Sequence, residues 1–172
     1  LPVTDADRVA RCVRYDNDAP NFTLPKGKKR VLIFEKINGF YHTDAVPAAR
    51  TAITTLATKK GWGVVSTDRG GAINPKTLRQ FDVVVWNNNS GDVLTLSQRA
   101  ALKAYVEKGG GFLAIHGAGG DSANFGPWYT ETLVGAQFMG HPMNPQFQDA
   151  DVHVDDPKHA VTRALPEQFR MT

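Results

Sequence analysis

Cysteine is almost absent: Cys12 is the single thiol in a chain of 172 residues. One thiol excludes an intrachain disulfide framework. The sequence also lacks the C-x-x-C and H-E-x-x-H spacings that mark a zinc site by pattern alone. Long apolar runs are missing, so no segment has the roughly 20 residues needed to cross a bilayer as a helix, and membrane insertion is not expected. Net charge is small at +3. Lys and Arg are dispersed apart from KGKKR (26–30), which reads as a solvated approach to a first strand, so nucleic acid is not an expected partner. No charged-then-apolar leader precedes Leu1, and the expectation is that a signal peptide or tag has been removed.

What is present is an ordinary globular composition, 41% apolar and 22% charged, at a length that suits one domain. Residues 1–29 show little periodicity and are expected to form an extended segment outside the core. The α/β domain is expected over 30–172. RVLIFEK (30–36) reads as a strand. The following TDAVPAARTAITTLATKKG has Val46, Ala49, Ile53 and Leu56 at helical spacing, with Thr43 or Asp44 as cap and Pro47 in the first turn. WGVVST (62–67) reads as a strand, NPKTLRQ as a short helix, and DVVVWN (82–87) as a strand apolar on both faces, a pattern that belongs in parallel sheets. Thr95 and Gln98 have capping-box spacing before a helix with Leu102, Tyr105 and Val106 on its apolar side. GFLAI (111–115) is the next strand. Strands alternating with helices predict a doubly wound, mostly parallel α/β sheet with helices on both faces, of the flavodoxin-like kind.

In such a sheet ligands gather at the carboxyl ends of the strands. Three of those ends are polar here: GFYH after the first strand, NNNSGD after the third and HGAGGD after the fourth. His116 stands in GGGFLAIHGAGG (109–120), between Ala114 and Ala118, where a strand turns sharply as in a nucleophile elbow. The occupant is an imidazole, suited to acid, base or ligand work, where thiolate acyl transfer needs a cysteine. His42, His116 and His141 at loop positions could share acid-base work as catalytic residues. They could equally hold a divalent metal, zinc foremost, through neutral imidazoles. Asn87, Asn88 and Asn89 could bind sugar hydroxyls or form an Asx turn. Phe40, Tyr41, Trp128 and Tyr129 could stack on a pyranose or lie in the core. Asp121 could orient His116 or cap a helix, and Glu35 could be a base or a solvated strand end. HGAGG fits neither the P-loop nor the G-x-G-x-x-G pattern, so no nucleotide is expected.

VLIFEKINGFYHTDAVPAA, VVVWNNNSGDVLT, GGGFLAIHGAGG, WYTETLVGAQFMGHP and VHVDDPKHAVTRALP, in that order, resemble the trehalose-utilisation (ThuA-like) family from about Arg30 to the end of the chain. The resemblance implies a class I glutamine amidotransferase-like fold and carbohydrate metabolism. It carries His42, Asn88, Gly91, Asp92, His116, Trp128, Tyr129, His141, Pro142 and His159 onto the family's motifs. Ala160 stands where a proline is common, and after FRMT the family's usual C-terminal part is expected to be lacking.

The resulting expectation is a sugar hydrolase, lyase or isomerase acting on a disaccharide or an oxidised (keto) sugar. His42, His116 and His141 would be catalytic or metal-binding, and Asn88, Asn89, Asp121, Trp128, Tyr129 and His159 substrate-binding. The alternative is a non-catalytic sugar-binding or accessory domain. Glutamine amidotransfer is excluded by the missing elbow cysteine. A small carbohydrate is the expected partner, a homo-oligomer is compatible with the sequence, and the resemblance favours a periplasmic or secreted setting over a cytoplasmic one.

Overall fold

The structure is a computed structural model that describes residues 5–6, 14–120, 125–142, 144–145 and 147–171. The chain divides into two compact units, Leu1–Phe138 and Met139–Thr172.

The first unit is built on four parallel strands, β1 (Arg30–Phe34), β2 (Gly63–Thr67), β3 (Val83–Asn87) and β4 (Gly111–Ile115), in the order β2-β1-β3-β4. Val31 to Phe34 face Val83 to Trp86 in register. Alternation of side chains along each strand then sorts the core into two layers. Leu32, Phe34, Val84 and Trp86 pack on one face with Leu78, Phe81, Leu94, Leu102 and Tyr129. Val31, Ile33 and Val85 pack on the other, against Ile53. The apolar runs are therefore continuous because both faces are covered, as expected. β4 is less protected, with Leu113 half exposed.

Helix α1 (Ala45–Lys59) does not start as its sequence predicts. Asp44 occupies the N-cap position but has helical dihedrals and no side-chain cap bond. The entry turn is closed instead by the Val46 N–H donating to the carbonyl of His42 at 3.1 Å. The buried row also passes through Ala57 where Leu56 was expected, and Leu56 is exposed. A stripe that advances by four after Ile53 is as helical as one that advances by three, so spacing alone leaves both residues eligible. Gly61 ends the segment at φ +69°. Helix α2 (Pro75–Leu78) is capped by Asn74, whose Oδ1 accepts from the Thr77 N–H at 2.9 Å. Helix α3 (Leu96–Glu107) has the expected reciprocal box, with the Thr95 side chain accepting from the Gln98 N–H and Gln98 Oε1 accepting from the Thr95 N–H. A one-turn helix, α4 (Gly117–Gly120), follows β4, and a π-helical turn runs over Trp128–Val134.

Residues 14–29 form no helix or strand. They are nonetheless part of the packing, which corrects the expectation of a segment outside the core: Phe22 and Leu24 lie against the main apolar cluster, Phe22 edge-on to Phe81 at 5.9 Å. Asp16 anchors the same stretch by accepting from the N–H groups of Gly70 and Gly71 and from Lys36 Nζ at 2.6 Å. Those contacts hold its carboxyl below the usual range even though burial acts the other way. Cys12 lies outside the described residues.

The second unit contains an antiparallel pair, β5 (Ala150–His153) and β6 (Gln168–Met171). Arg170 bridges Asp149 and Asp151 across it.

Candidate functional site at the carboxyl ends of the sheet

The strand order places the site. From β1 the chain moves outward to β2, then returns past β1 to β3 and β4. The reversal lies between β1 and β3, where the connections leave a crevice at the carboxyl ends. The residues that follow those ends are Glu35 to His42, Asn88 to Asp92, and His116.

The loops after β1 and β3 are tied together by backbone. The N–H groups of Asn38 and Gly39 both donate to the Ser90 carbonyl at 2.9 and 3.0 Å. Ser90 Oγ donates to the carbonyl of Phe40, Asn38 Nδ2 to that of Asp92, and Asn89 Nδ2 to that of Lys36. Glycine is required at this approach. Gly91 has φ +72°, and a Cβ on it would sit 2.5 Å from the Gly39 nitrogen.

This tie brings His42 and His116 into contact. Their ring centroids are 4.4 Å apart and nearly perpendicular, at 82°, and Phe40 meets His42 edge-on from another side at 4.8 Å. His42 is half-buried, and its Nδ1 is buried without a hydrogen-bond partner among the described residues. Burial, and secondarily the charge that His116 can carry, hold its pKa below the ordinary imidazole value. A neutral ring is the consequence near pH 7.

His116 and Asn88 share an unusual backbone. Both are non-glycine residues in the left-handed region, at φ +48° and +58°, where Asn and His are among the side chains that occur most readily. The Asn88 N–H donates to the Ile115 carbonyl, and His116 Nδ1 lies 2.9 Å from Asn88 Oδ1. Behind them runs a chain of amides. Asn88 Nδ2 donates to Asn87 Oδ1 at 2.8 Å, and Asn87 Nδ2 donates to the Val46 carbonyl at 2.9 Å and to Glu35 Oε2 at 3.1 Å. Glu35 also accepts from Ser66 Oγ and from Arg50 Nε. Its side chain is only 8% exposed, so it is a network member and not a solvated strand end.

The expected site residues thus separate. His42, Asn88 and His116 come together. Asn87, Asn88 and Asn89 are all fully buried and committed to protein hydrogen bonds, with Asn89 Oδ1 alone unpartnered in that group. Of the expected aromatic platform, Phe40 and Tyr41 are exposed at the loop tip. Tyr129 is corrected to a core residue. It is 1% exposed, stacked on Trp86 at 5.1 Å, and its hydroxyl donates to the Ala118 carbonyl; burial alone raises its pKa well above the usual phenol range. Trp128 is half-buried, with Lys103 Nζ 5.9 Å from its ring. Asp121 lies outside the described residues. His141 and His159 belong to the second unit, where His141 Nδ1 is 3.1 Å from the Pro142 carbonyl and His159 Nδ1 accepts from the Val161 N–H. A metal centre needs about three protein ligands. Among the described residues no group of three or more His, Cys, Asp or Glu is placed to hold an ion, and one nitrogen of His116 is already engaged by Asn88. The residues sequence reading missed are Arg50, Ser66 and Glu35 as a unit; the available signal was a glutamate directly after a buried apolar run.

Comparison with known proteins follows the same lines. The chain matches the ThuA family, described as trehalose utilisation, over residues 30–172. No curated protein matches it. Among solved structures it is similar to a protein from Bacteroides uniformis ATCC 8492 described as ThuA-like, with 25% identity and a TM-score of 0.68 over 89% of this chain. The chain spans 62% of the length of that relative. With the parallel α/β sheet, the matched motifs and that likeness together, the chain belongs to the ThuA family of trehalose utilisation.

Proposed function

We propose that the chain is a carbohydrate-processing enzyme acting on a disaccharide or an oxidised (keto) sugar derivative, with His42 and His116 as its acid-base pair. The observation that carries this reading is the perpendicular contact of the two imidazoles, 4.4 Å between centroids, at the strand ends where α/β sheets bind ligands. A neutral His42 in contact with an exposed His116 sets two imidazoles within reach of one bound ligand. His116 would take or return the proton of a sugar hydroxyl or of a carbon next to a keto group. His42, kept uncharged, would polarise the neighbouring oxygen without bringing a fixed charge. The exposed rings of Phe40 and Tyr41 offer the apolar surface on which a pyranose face can rest. The choice among hydrolysis, elimination and isomerisation follows from the substrate, for which the family match makes trehalose-related sugars the first candidates to test.

The test is product formation from trehalose and its keto derivatives, followed by mass spectrometry, for the wild type, His42→Ala and His116→Ala. The expected result is turnover by the wild type and a loss of about 10²-fold or more in the His116 variant. Unchanged turnover in both variants overturns the assignment. Sugar binding without product formation by the wild type overturns it in favour of a non-catalytic sugar-binding domain.

A further inference from the structure

The amide chain behind His116 has a direction, and that direction is determined by groups that can act in only one way. The Val46 carbonyl can only accept, so the Asn87 atom 2.9 Å from it is the NH₂ group. The same NH₂ reaches Glu35, a carboxylate already loaded by Ser66 and Arg50 and equally confined to accepting. The other terminal atom of Asn87 is therefore its oxygen. The Asn88 atom facing it at 2.8 Å must be a nitrogen, which leaves Asn88 Oδ1 toward His116 Nδ1 at 2.9 Å. An amide oxygen accepts only. Reversing both amides would set the Asn87 oxygen against the Val46 carbonyl and the Glu35 carboxylate, two acceptors with no donor between them and little water to replace one.

We infer that Asn88 is a positioning residue that holds neutral His116 in the Nδ1–H tautomer, so that Nε2 carries the ring's basic lone pair, with Asn87 and Glu35 setting the sense of the chain. This deepens the acid-base reading above and rests on it for its functional meaning. An unconstrained histidine side chain favours the opposite, Nε2–H, form, in which Nε2 cannot accept a proton. The chain also explains why a left-handed backbone is retained at both 88 and 116. The two φ values, +58° and +48°, accompany the juxtaposition of the ends of β3 and β4 that brings the amide and the imidazole side by side. It gives the buried Asn-Asn pair a role other than contact with sugar, since neither side chain has exposed surface.

The experiment is long-range ¹⁵N–¹H correlation NMR of the imidazole rings at about pH 8, where histidines are neutral, with His116 assigned by its absence in His116→Gln. The wild type is expected to show the Nδ1–H pattern for His116. Asn88→Gly, which suits φ +58°, is expected to lose that pattern and move to the Nε2–H form. Asn88→Asp keeps an acceptor toward His116 Nδ1 while setting its second oxygen against Asn87 Oδ1, and is expected to lose stability yet keep Nδ1–H. An Nε2–H wild type, or an Nδ1–H ring that survives Asn88→Gly, overturns the inference. Should the glycine variant fail to fold, the wild type and Asn88→Asp decide it: Nε2–H in either one overturns it. The readout needs no substrate. Nδ1–H in a protein that turns over no sugar would sustain the positioning role while refuting the acid-base reading, and turnover with an Nε2–H ring would do the reverse.

Discussion

Glu35→Gln changes one atom, and the network around it sets what that change costs. Glu35 accepts from Ser66 Oγ, from Arg50 Nε at 2.8 Å and from Asn87 Nδ2 at 3.1 Å, with its side chain 8% exposed. A glutamine retains one oxygen and presents an NH₂ in place of the other. If the oxygen stays toward Asn87 it also keeps Arg50 Nε, which lies 3.0 Å from Oε2, and the new NH₂ faces Ser66 Oγ, which must turn from donor to acceptor; what is lost is the charge that strengthened all three bonds and the Ser66 proton's partner. In the opposite orientation the NH₂ faces Asn87 Nδ2 and Arg50, donor against donor. A charge-assisted bond in a mostly buried place is worth roughly 1.5–3 kcal/mol, so the variant should lose about 2–3 kcal/mol. That corresponds to a fall of about 5–10 °C in Tm for a chain of this size. Urea unfolding, read by tryptophan fluorescence and far-UV circular dichroism, measures it. Arg50→Ala should cost at least as much, because it leaves the carboxylate without its cation. The double variant should then cost less than the sum of the two by about 1 kcal/mol or more. Strictly additive losses, or a Glu35→Gln effect below about 0.5 kcal/mol, would refute the view of Glu35 as a buried partner of Arg50 and Asn87.

His42→Phe should raise stability at acid pH. The folded-state pKa of His42 lies below its unfolded value, so the unfolded chain binds the extra proton and stability falls as pH drops from about 6.5 through the folded pKa; the phenylalanine variant should lose that part of the slope in a series of urea midpoints against pH, and an unchanged slope would count against the assignment. Tyr129→Phe leaves the Ala118 carbonyl without its donor in the core and should cost about 1–3 kcal/mol, measured as a urea midpoint. Gly91→Ala and Gly61→Ala both place a Cβ on left-handed backbone, but only the first also meets another backbone atom, at 2.5 Å. Thermal unfolding should show the Gly91 variant losing clearly more than the roughly 1 kcal/mol expected of Gly61→Ala; equal losses would argue against the close loop approach.

The strands and α3 were legible because their signals are local. Four apolar runs bounded by turn residues, and Thr95 three places before Gln98, each determine their own conformation. The start of α1 was not, since Asp44 offers the right side chain but the His42 carbonyl does the closing. Of the site, the placing of His42 and His116 at strand ends followed from counting strands. The buried relay did not. Whether Glu35 and Asn87 face water or each other depends on β1 lying between β2 and β3, an order that no single stretch of sequence states. Tyr129 shows the converse: it shares a motif with Trp128, yet the π-helical turn sends it into the core against Trp86.

The backbone tie between the loops after β1 and β3 has a consequence for how ligands would be met. Phe40 and Tyr41 stand exposed, as groups on a mobile tip do, but the segment that carries them is clamped to Ser90 and Asp92 on one side and to the first turn of α1 on the other. An aromatic surface mounted on such a frame has little conformational freedom left to surrender, so association there would lose less entropy than on an unclamped loop of the same composition. The amides of Asn38 and Gly39 would report this directly, exchanging with solvent only when both loops open together.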